Sequence, residues 1–156
     1  MYLLDTDVLS ITSPASRFQT DEVDRWRDWV RKNEHGLYFS VTTIMEVRFG
    51  VEQCVAKGAT KKAELLRKWL AAVETIHHGR IIPITIEIAH KAGEMLYQAV
   101  GSGAQPSAED AQIAATAAVK GYKLLSRNEK HMMAMKADFS NPLTVLPEDV
   151  PPRSFS

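Results

Sequence analysis

The chain has one cysteine, Cys54, so no internal disulfide can form, and that usage fits a reducing compartment. Cys54 lies in a helical apolar pattern and reads as a packed thiol rather than a nucleophile. Long apolar runs are also missing. None approaches the ~18 residues that a membrane span needs, and Asp5 and Asp7 interrupt the N-terminus where the core of a signal peptide would run. Neither sign of charge is in excess, because 19 Lys+Arg balance 19 Asp+Glu. A general polyanion binder would be strongly basic, so only local basic patches remain open. The histidines, His35, His77, His78, His90 and His131, lack zinc-type spacing. We find no internal repeat and no low-complexity segment. These absences describe a soluble, cytoplasmic chain with no membrane partner, and 156 residues suffice for one domain with a full core.

What is present is an alternation of strand-like and helix-like segments. A short apolar run ends at Asp5-Thr6-Asp7, and residues 6–12 can form a short helix stopped near Pro14. Thr20 can cap a helix with acids in its first turn, Arg31 and Lys32 in its last, and a buried stripe of Val23, Trp26, Trp29 and Val30. Leu37–Val41 reads as a second strand. Thr42 or Thr43 then begins a helix carrying Ile44, Val47, Val51 and Val55 on one face. Thr60 begins another, with Leu66, Trp69, Val73 and Ile76. Arg80–Pro83 is a third strand, ended by its proline, and Thr85 opens a helix with Ile88, Ala92, Met95 and Ala99. An Ala-rich helix runs from Pro106-Ser107 to Gly121, Lys123–Ser126 is a fourth strand, and Leu143–Leu146 a weaker fifth. Strands separated by helices imply an α/β fold whose parallel sheet is covered on both faces. The domain spans 1–146, and the Pro-rich segment 147–156 reads as an exposed C-terminal tail.

Four polar positions flank the strands: Asp5 after the first, Glu46 in the helix after the second, Asp110 in the helix before the fourth, and Asn128 after the fourth. In an open parallel sheet, ligands bind beyond the carboxyl ends of the strands. Carboxylates there are costly to desolvate without a cation or donors. A divalent ion with a preference for oxygen, Mg²⁺ or Mn²⁺, would compensate them. Helix capping is the competing explanation. Asp5 can cap the helix that Asp7 enters, and both Thr43-x-x-Glu46 and Ser107-x-x-Asp110 fit the capping-box pattern. Spacing alone leaves both open.

The segments LLDTDVLS at 3–10, TTIMEVRFGV at 42–51, GRIIPI at 79–84, AEDAQIAATA at 108–117 and LLSRN at 124–128 resemble PIN-domain proteins in content and order. They are most similar to VapC-type toxins of the FitB-like branch, over about four-fifths of the chain. The resemblance implies a PIN-like α/β/α sandwich with a central parallel sheet of four to five strands. It also implies metal-dependent endonucleolytic cleavage of RNA by the toxin of a type II toxin–antitoxin pair. The family's acids fall on Asp5, Glu46 and Asp110, and its fourth position on Asn128, whose amide oxygen would help hold a metal or water. Thr6 matches the small hydroxyl beside the first acid, and would orient Asp5. Asp7 departs from the Asn usual there and adds either a ligand or a surplus charge. A cognate antitoxin and a homodimer are implied as partners.

Substrate contacts fall on two basic stretches: Lys120, Lys123, Arg127, Lys130 and Lys136, and Lys57, Lys61, Lys62, Arg67 and Lys68. Arg127, next to Asn128, is the leading candidate. Arg48 points partly away from Glu46. Two other functions compete. A haloacid-dehalogenase-like phosphatase would use Asp5 as nucleophile and Asp7 as acid/base, but the rest of its pattern is missing. A catalytically silent binding domain would retain the fold without the reaction.

Overall fold

The structure is a computed structural model and describes residues 1–154. Five strands form one parallel sheet: β1 (Tyr2–Leu4), β2 (Leu37–Ser40), β3 (Ile81–Ile82), β4 (Lys123–Leu125) and β5 (Phe139–Ser140), in the order β3-β2-β1-β4-β5. The helices are α1 (Thr6–Ser10), α2 (Asp21–Asn33), α3 (Val41–Ala56), α4 (Thr60–Ile76), α5 (Ile86–Gln98), α6 (Ala108–Lys120) and α7 (Glu129–Ala134). The order places β1 at the centre, so the residues that follow β1, β2 and β4 emerge side by side.

The two-residue period of the strands divides the core. Leu3, Leu124 and Ile82 pack under α5, α6 and α7 with Ile88, Met95, Ile113 and Met132. Leu4, Leu125, Leu37 and Phe39 face the other way, onto Val8, Leu9, Val23, Trp26 and Trp29. Helices therefore cover both faces, as expected of an α/β/α sandwich. The Trp26 indole N–H donates to the Val8 carbonyl at 2.9 Å, and its ring stacks on Trp29. Both tryptophans belong to the core, as their helical spacing indicates.

Local signals explain the helix ends. Thr20 accepts from the Val23 N–H to cap α2, and Gly121 ends α6 at φ 70°, a left-handed conformation that favours glycine. Four sequence expectations need correction. The helix after β2 begins at Val41, capped by the Ser40 hydroxyl, not at Thr42 or Thr43. The fifth strand is Phe139–Ser140, which pairs with Leu124 and Leu125. Leu143–Leu146 forms no strand, and Val145 and Leu146 lie exposed. Cys54 is only partly buried on α3.

The last correction concerns the C-terminal segment, of which residues 155–156 lie outside the described residues. It enters no helix or strand, but it is not simply exposed. Val150 is 5 % exposed and its N–H donates to Asn33 Oδ1 at 2.7 Å. Asp149 pairs with Lys32, and the Tyr2 hydroxyl donates to the Glu148 carbonyl. Gly36 makes room for this docking: a Cβ there would clash with the Val150 side chain.

Candidate active site at the carboxyl edge

Chain direction gathers the acids. β1 runs out into Asp5, which continues the ladder through its N–H to the Leu125 carbonyl at 2.9 Å and also caps α1. Its Oδ1 accepts the Thr6 N–H at 2.7 Å, and its Oδ2 accepts the Ser126 hydroxyl at 2.7 Å. Only 4 % of Asp5 is exposed. Burial, then the charges of Asp7 and Asp110, push its carboxyl up to about 7 despite the lowering effect of those two donors.

Asp7 lies two residues onward, in the first turn of α1. Its Oδ2 accepts the Arg127 N–H at 3.1 Å, whereas its Oδ1 is buried without a partner. Burial raises its pKa, opposed mainly by the Arg127 guanidinium. Glu46 reaches the same place from α3, where Thr6 Oγ1 donates to its Oε1 at 2.6 Å. Its pKa is also raised, chiefly by burial and further by Asp5 and Asp110. The Thr6 hydroxyl thus holds Glu46 and its backbone N–H holds Asp5. The Thr43-x-x-Glu46 box does not form: Glu46 turns into the site and Ser40 does the capping.

The Ser107–Asp110 box does form, with both of its hydrogen bonds present. Asp110 serves two roles, because Oδ2 also lies 3.0 Å from His131 Nδ1. Asn128 approaches the same ring nitrogen, its amide 3.0 Å away, and its backbone N–H donates to Ser126 Oγ at 3.0 Å. Two residues with no assigned role in the sequence therefore belong here. Ser126 is fully buried between Asp5 and Asn128. Its sequence signal was its place at the end of the fourth strand, within the LLSRN segment at 124–128. His131 was detectable as the i+3 neighbour of Asn128 on a helix.

Among the described residues, no three His, Cys, Asp or Glu side chains are drawn together closely enough to hold an ion as they stand. The donor chemistry nonetheless fits a hard cation. Every acid offers oxygen, and Asp7 Oδ1 is buried and unpartnered. Burial, the leading cause in each case, raises the pKa values of Asp5, Asp7 and Glu46, a cost that a bound cation would offset. Mg²⁺ retains several waters, and these can bridge oxygens that do not themselves converge.

Beside the acids, Thr6, Asp7 and Glu46 open onto a groove of about 430 Å³ lined also by Phe18, Lys62, Trp69 and Arg127. Phe18 is 49 % exposed, and the Arg127 guanidinium sits over its ring, 5.0 Å from the centroid. Arg17 and Lys62 line the same groove, but Arg127, whose backbone N–H also bonds Asp7, is the leading basic candidate. Elsewhere in the basic stretches Lys123 pairs with Asp138, and Arg67 and Lys68 pair with Glu64. Arg48 pairs with Glu52, away from the acids.

A family model described as PIN domain matches residues 2–135. The chain is 30 % identical over 147 residues to the VapC ribonuclease Y4jK of Sinorhizobium fredii, covering 91 % of this chain and 97 % of that one. It is 28 % identical over 142 residues to Toxin FitB of Neisseria gonorrhoeae, covering 91 % and 98 %. Among solved structures, FitAcB from Neisseria gonorrhoeae superposes with a TM-score of 0.76 at 28 % identity, again over 91 % and 98 %. None of these matches favours the phosphatase alternative.

Proposed function

Because this chain belongs to the PIN domain family, we propose that it is a metal-dependent endoribonuclease and the toxin of a type II toxin–antitoxin pair. The activity would reside in a single nuclease domain over residues 1–146. The observation that carries the reading is the buried Asp5 carboxylate, held by Thr6 and Ser126 beside an Asp7 whose Oδ1 is buried without a partner, in a family whose relative Y4jK is called a VapC ribonuclease.

Asp5, Glu46 and Asp110 would hold the metal directly or through water, and Asp7 would join them through its free Oδ1. When bound, Mg²⁺ or Mn²⁺ supplies positive charge for the scissile phosphate and acidifies the attacking water. The remaining work falls to the chain itself. Ser126 and the Thr6 N–H fix both Asp5 oxygens, and the Thr6 hydroxyl fixes Glu46, so the carboxylates are aimed before substrate arrives. Arg127 offers a cation to the RNA backbone and a stacking plane over Phe18 for an adjacent base.

No helix among the described residues is long and apolar enough to cross a membrane, which is compatible with action on cytoplasmic RNA. An antitoxin segment bearing arginine would pair with the uncompensated acids, and its apolar residues would suit the groove at Leu66 and Trp69. Homodimerisation would set two such sites in one larger basic channel, easing RNA binding by a neutral chain. The test is expression alone and with the protein encoded beside it, with mapping of RNA ends with and without Mg²⁺. We expect Mg²⁺-dependent internal cuts that the neighbour suppresses. Intact RNA under every metal condition would overturn the reading.

A further inference from the structure

Asp110, Asn128 and His131 meet at one nitrogen. His131 Nδ1 lies 3.0 Å from Asp110 Oδ2 and 3.0 Å from the side-chain amide of Asn128. A neutral imidazole nitrogen carries either a proton or a lone pair, so Nδ1 cannot donate to one neighbour and accept from the other. If it accepted from the Asn128 NH₂, its lone pair would face a carboxylate oxygen at hydrogen-bond distance, and two acceptors would be pressed together. If it carries the proton, Asp110 receives a hydrogen bond. The Asn128 amide then turns through 180°, an exchange that leaves its shape unchanged, and presents its oxygen to the same proton. Only the second arrangement satisfies both contacts.

We propose that His131 is the positioning residue of Asp110. Held as the Nδ1–H tautomer, it pins Asp110 Oδ2 and turns the Asn128 NH₂ away from the ring as a free donor. Oδ2 already accepts the Ser107 N–H at 3.1 Å, so two donors saturate it. Oδ1 is left as the oxygen available to the cluster of Asp5, Asp7 and Glu46. Asn128 then serves the site by donation rather than by oxygen ligation. Its backbone N–H, bound to Ser126 Oγ, links the assembly to Asp5. The tautomer follows from geometry alone; its consequence for metal binding rests on the nuclease reading.

The test separates the two. In the metal-free protein, long-range ¹H–¹⁵N NMR at a pH where the ring is neutral should show the His131 proton on Nδ1. A proton on Nε2 alone overturns the inference. Two isosteric variants then ask which nitrogen acts, since the Asn amide nitrogen falls near Nδ1 and that of Gln near Nε2. Provided melting temperatures match the wild type, His131→Gln should weaken Mn²⁺ binding about tenfold, as loss of a ligand-orienting contact usually does, while His131→Asn stays close to wild type. Equal binding in the two variants overturns the positioning role. Wild-type protein that shows the Nδ1–H tautomer yet leaves RNA intact sinks the nuclease reading and leaves the hydrogen-bond assignment standing.

Discussion

At the amino ends of the strands charged groups are paired off, whereas at the carboxyl ends carboxylates are gathered with donors for only some of their oxygens. Arg80 donates to the carbonyls of Leu37 and Ile76, each at 3.1 Å, and meets His77 Nδ1 at 3.1 Å. His77 is buried and neutral, its pKa pushed down to about 4 by that burial and then by the Arg80 charge. Lys32 and Asn33 hold Asp149, and Asn33 holds Val150. At the other end Asp5, Asp7 and Glu46 all have raised pKa values, and Asp7 Oδ1 has no partner. At the amino edge these charged groups find partners among the described residues, and the buried group left over is an uncharged indole N–H, that of Trp29. The carboxyl edge is left for something from outside to complete, and such strain is where function concentrates.

The sharpest way to break this comparison is Asp5→Asn. Hydrolysis should fall by about three orders of magnitude, equivalent to roughly 4 kcal/mol of transition-state stabilisation. The metal-free protein should melt higher, because an amide keeps the Thr6 contact and removes the like-charge repulsion. Thermal denaturation without metal, alongside RNA cleavage with Mg²⁺, checks both. A lower metal-free melting temperature would mean that the carboxyl edge is not strained.

The opposite edit tests the completed edge. A chain ending at Pro147 loses the burial of Val150 and the contacts of Glu148 and Asp149. It should lose about 2–4 kcal/mol of stability in urea denaturation, from one buried side chain and a few hydrogen bonds. Cleavage per folded molecule and Mn²⁺ affinity should stay unchanged, because among the described residues of that segment none hydrogen-bonds to the acids of the site. A loss of metal affinity would show that the two ends are coupled.

Features set by local pattern were legible in the sequence. The Val23, Trp26 and Trp29 stripe, the cap at Thr20, the stop at Gly121 and the alternation that makes the sheet parallel all follow from near neighbours. So did the placement of Asp5, because a residue after a central strand has few places to go. What sequence could not show was competition for a single group. Glu46 fits a capping box three residues after Thr43, yet Thr6, forty positions away, takes it. Asp110 fits one too and does cap its helix, while also reaching His131. A capping pattern cannot reveal whether a distant hydroxyl or imidazole will claim the same oxygen. β5 was misplaced for a related reason. Leu143–Leu146 has the more strand-like composition, but β4 offers its open edge to Phe139–Ser140, which arrives first after α7. The docking of Val150 depends on space left by Gly36, and no rule about proline-rich ends contains that.

A subtler prediction compares the edges by pH. Asp5 has a raised folded-state pKa, so its contribution to stability is fully present below its ordinary value near 4. It is lost as pH rises through about 7. His77 has a depressed one, so its contribution is present above its ordinary value of 6.5 and is lost as pH falls through about 4. In the metal-free wild type the two slopes oppose each other across the same window. Urea denaturation from pH 4 to 7 should separate them. Relative to the wild type, Asp5→Asn should tilt the slope toward stability rising with pH, although the raised Asp7 and Glu46 still oppose His77. His77→Phe should tilt it toward falling. Saturating Mg²⁺ should flatten the Asp5 slope and leave that of His77 untouched. Parallel slopes in the two variants would erase the distinction between the edges.

The smallest expected effect concerns Asp7 and sharpens the comparison within the carboxyl edge. Three causes raise the Asp5 pKa, burial first, Asp7 second and Asp110 last. Asp7→Asn removes the second and leaves the other two. The Asn oxygen can still accept the Arg127 N–H, and the NH₂ takes the place of the unpartnered Oδ1. The metal-free fold should therefore gain only about 1 kcal/mol or less, since a buried donor replaces a buried acceptor and neither is satisfied. Asp5 should report the change directly. Its carboxyl titration, followed by ¹³C NMR, should move down toward the ordinary carboxylate range without reaching it. Metal affinity should weaken several-fold, on the scale of losing one oxygen around the ion, while cleavage persists at saturating Mg²⁺. An unmoved Asp5 titration would assign the shift to burial and Asp110 and make Asp7 a helix residue held by Arg127. Complete loss of cleavage with metal affinity intact would make Asp7 a proton-transfer group instead, because a residue that only adds charge to the metal site cannot be essential once the metal is bound.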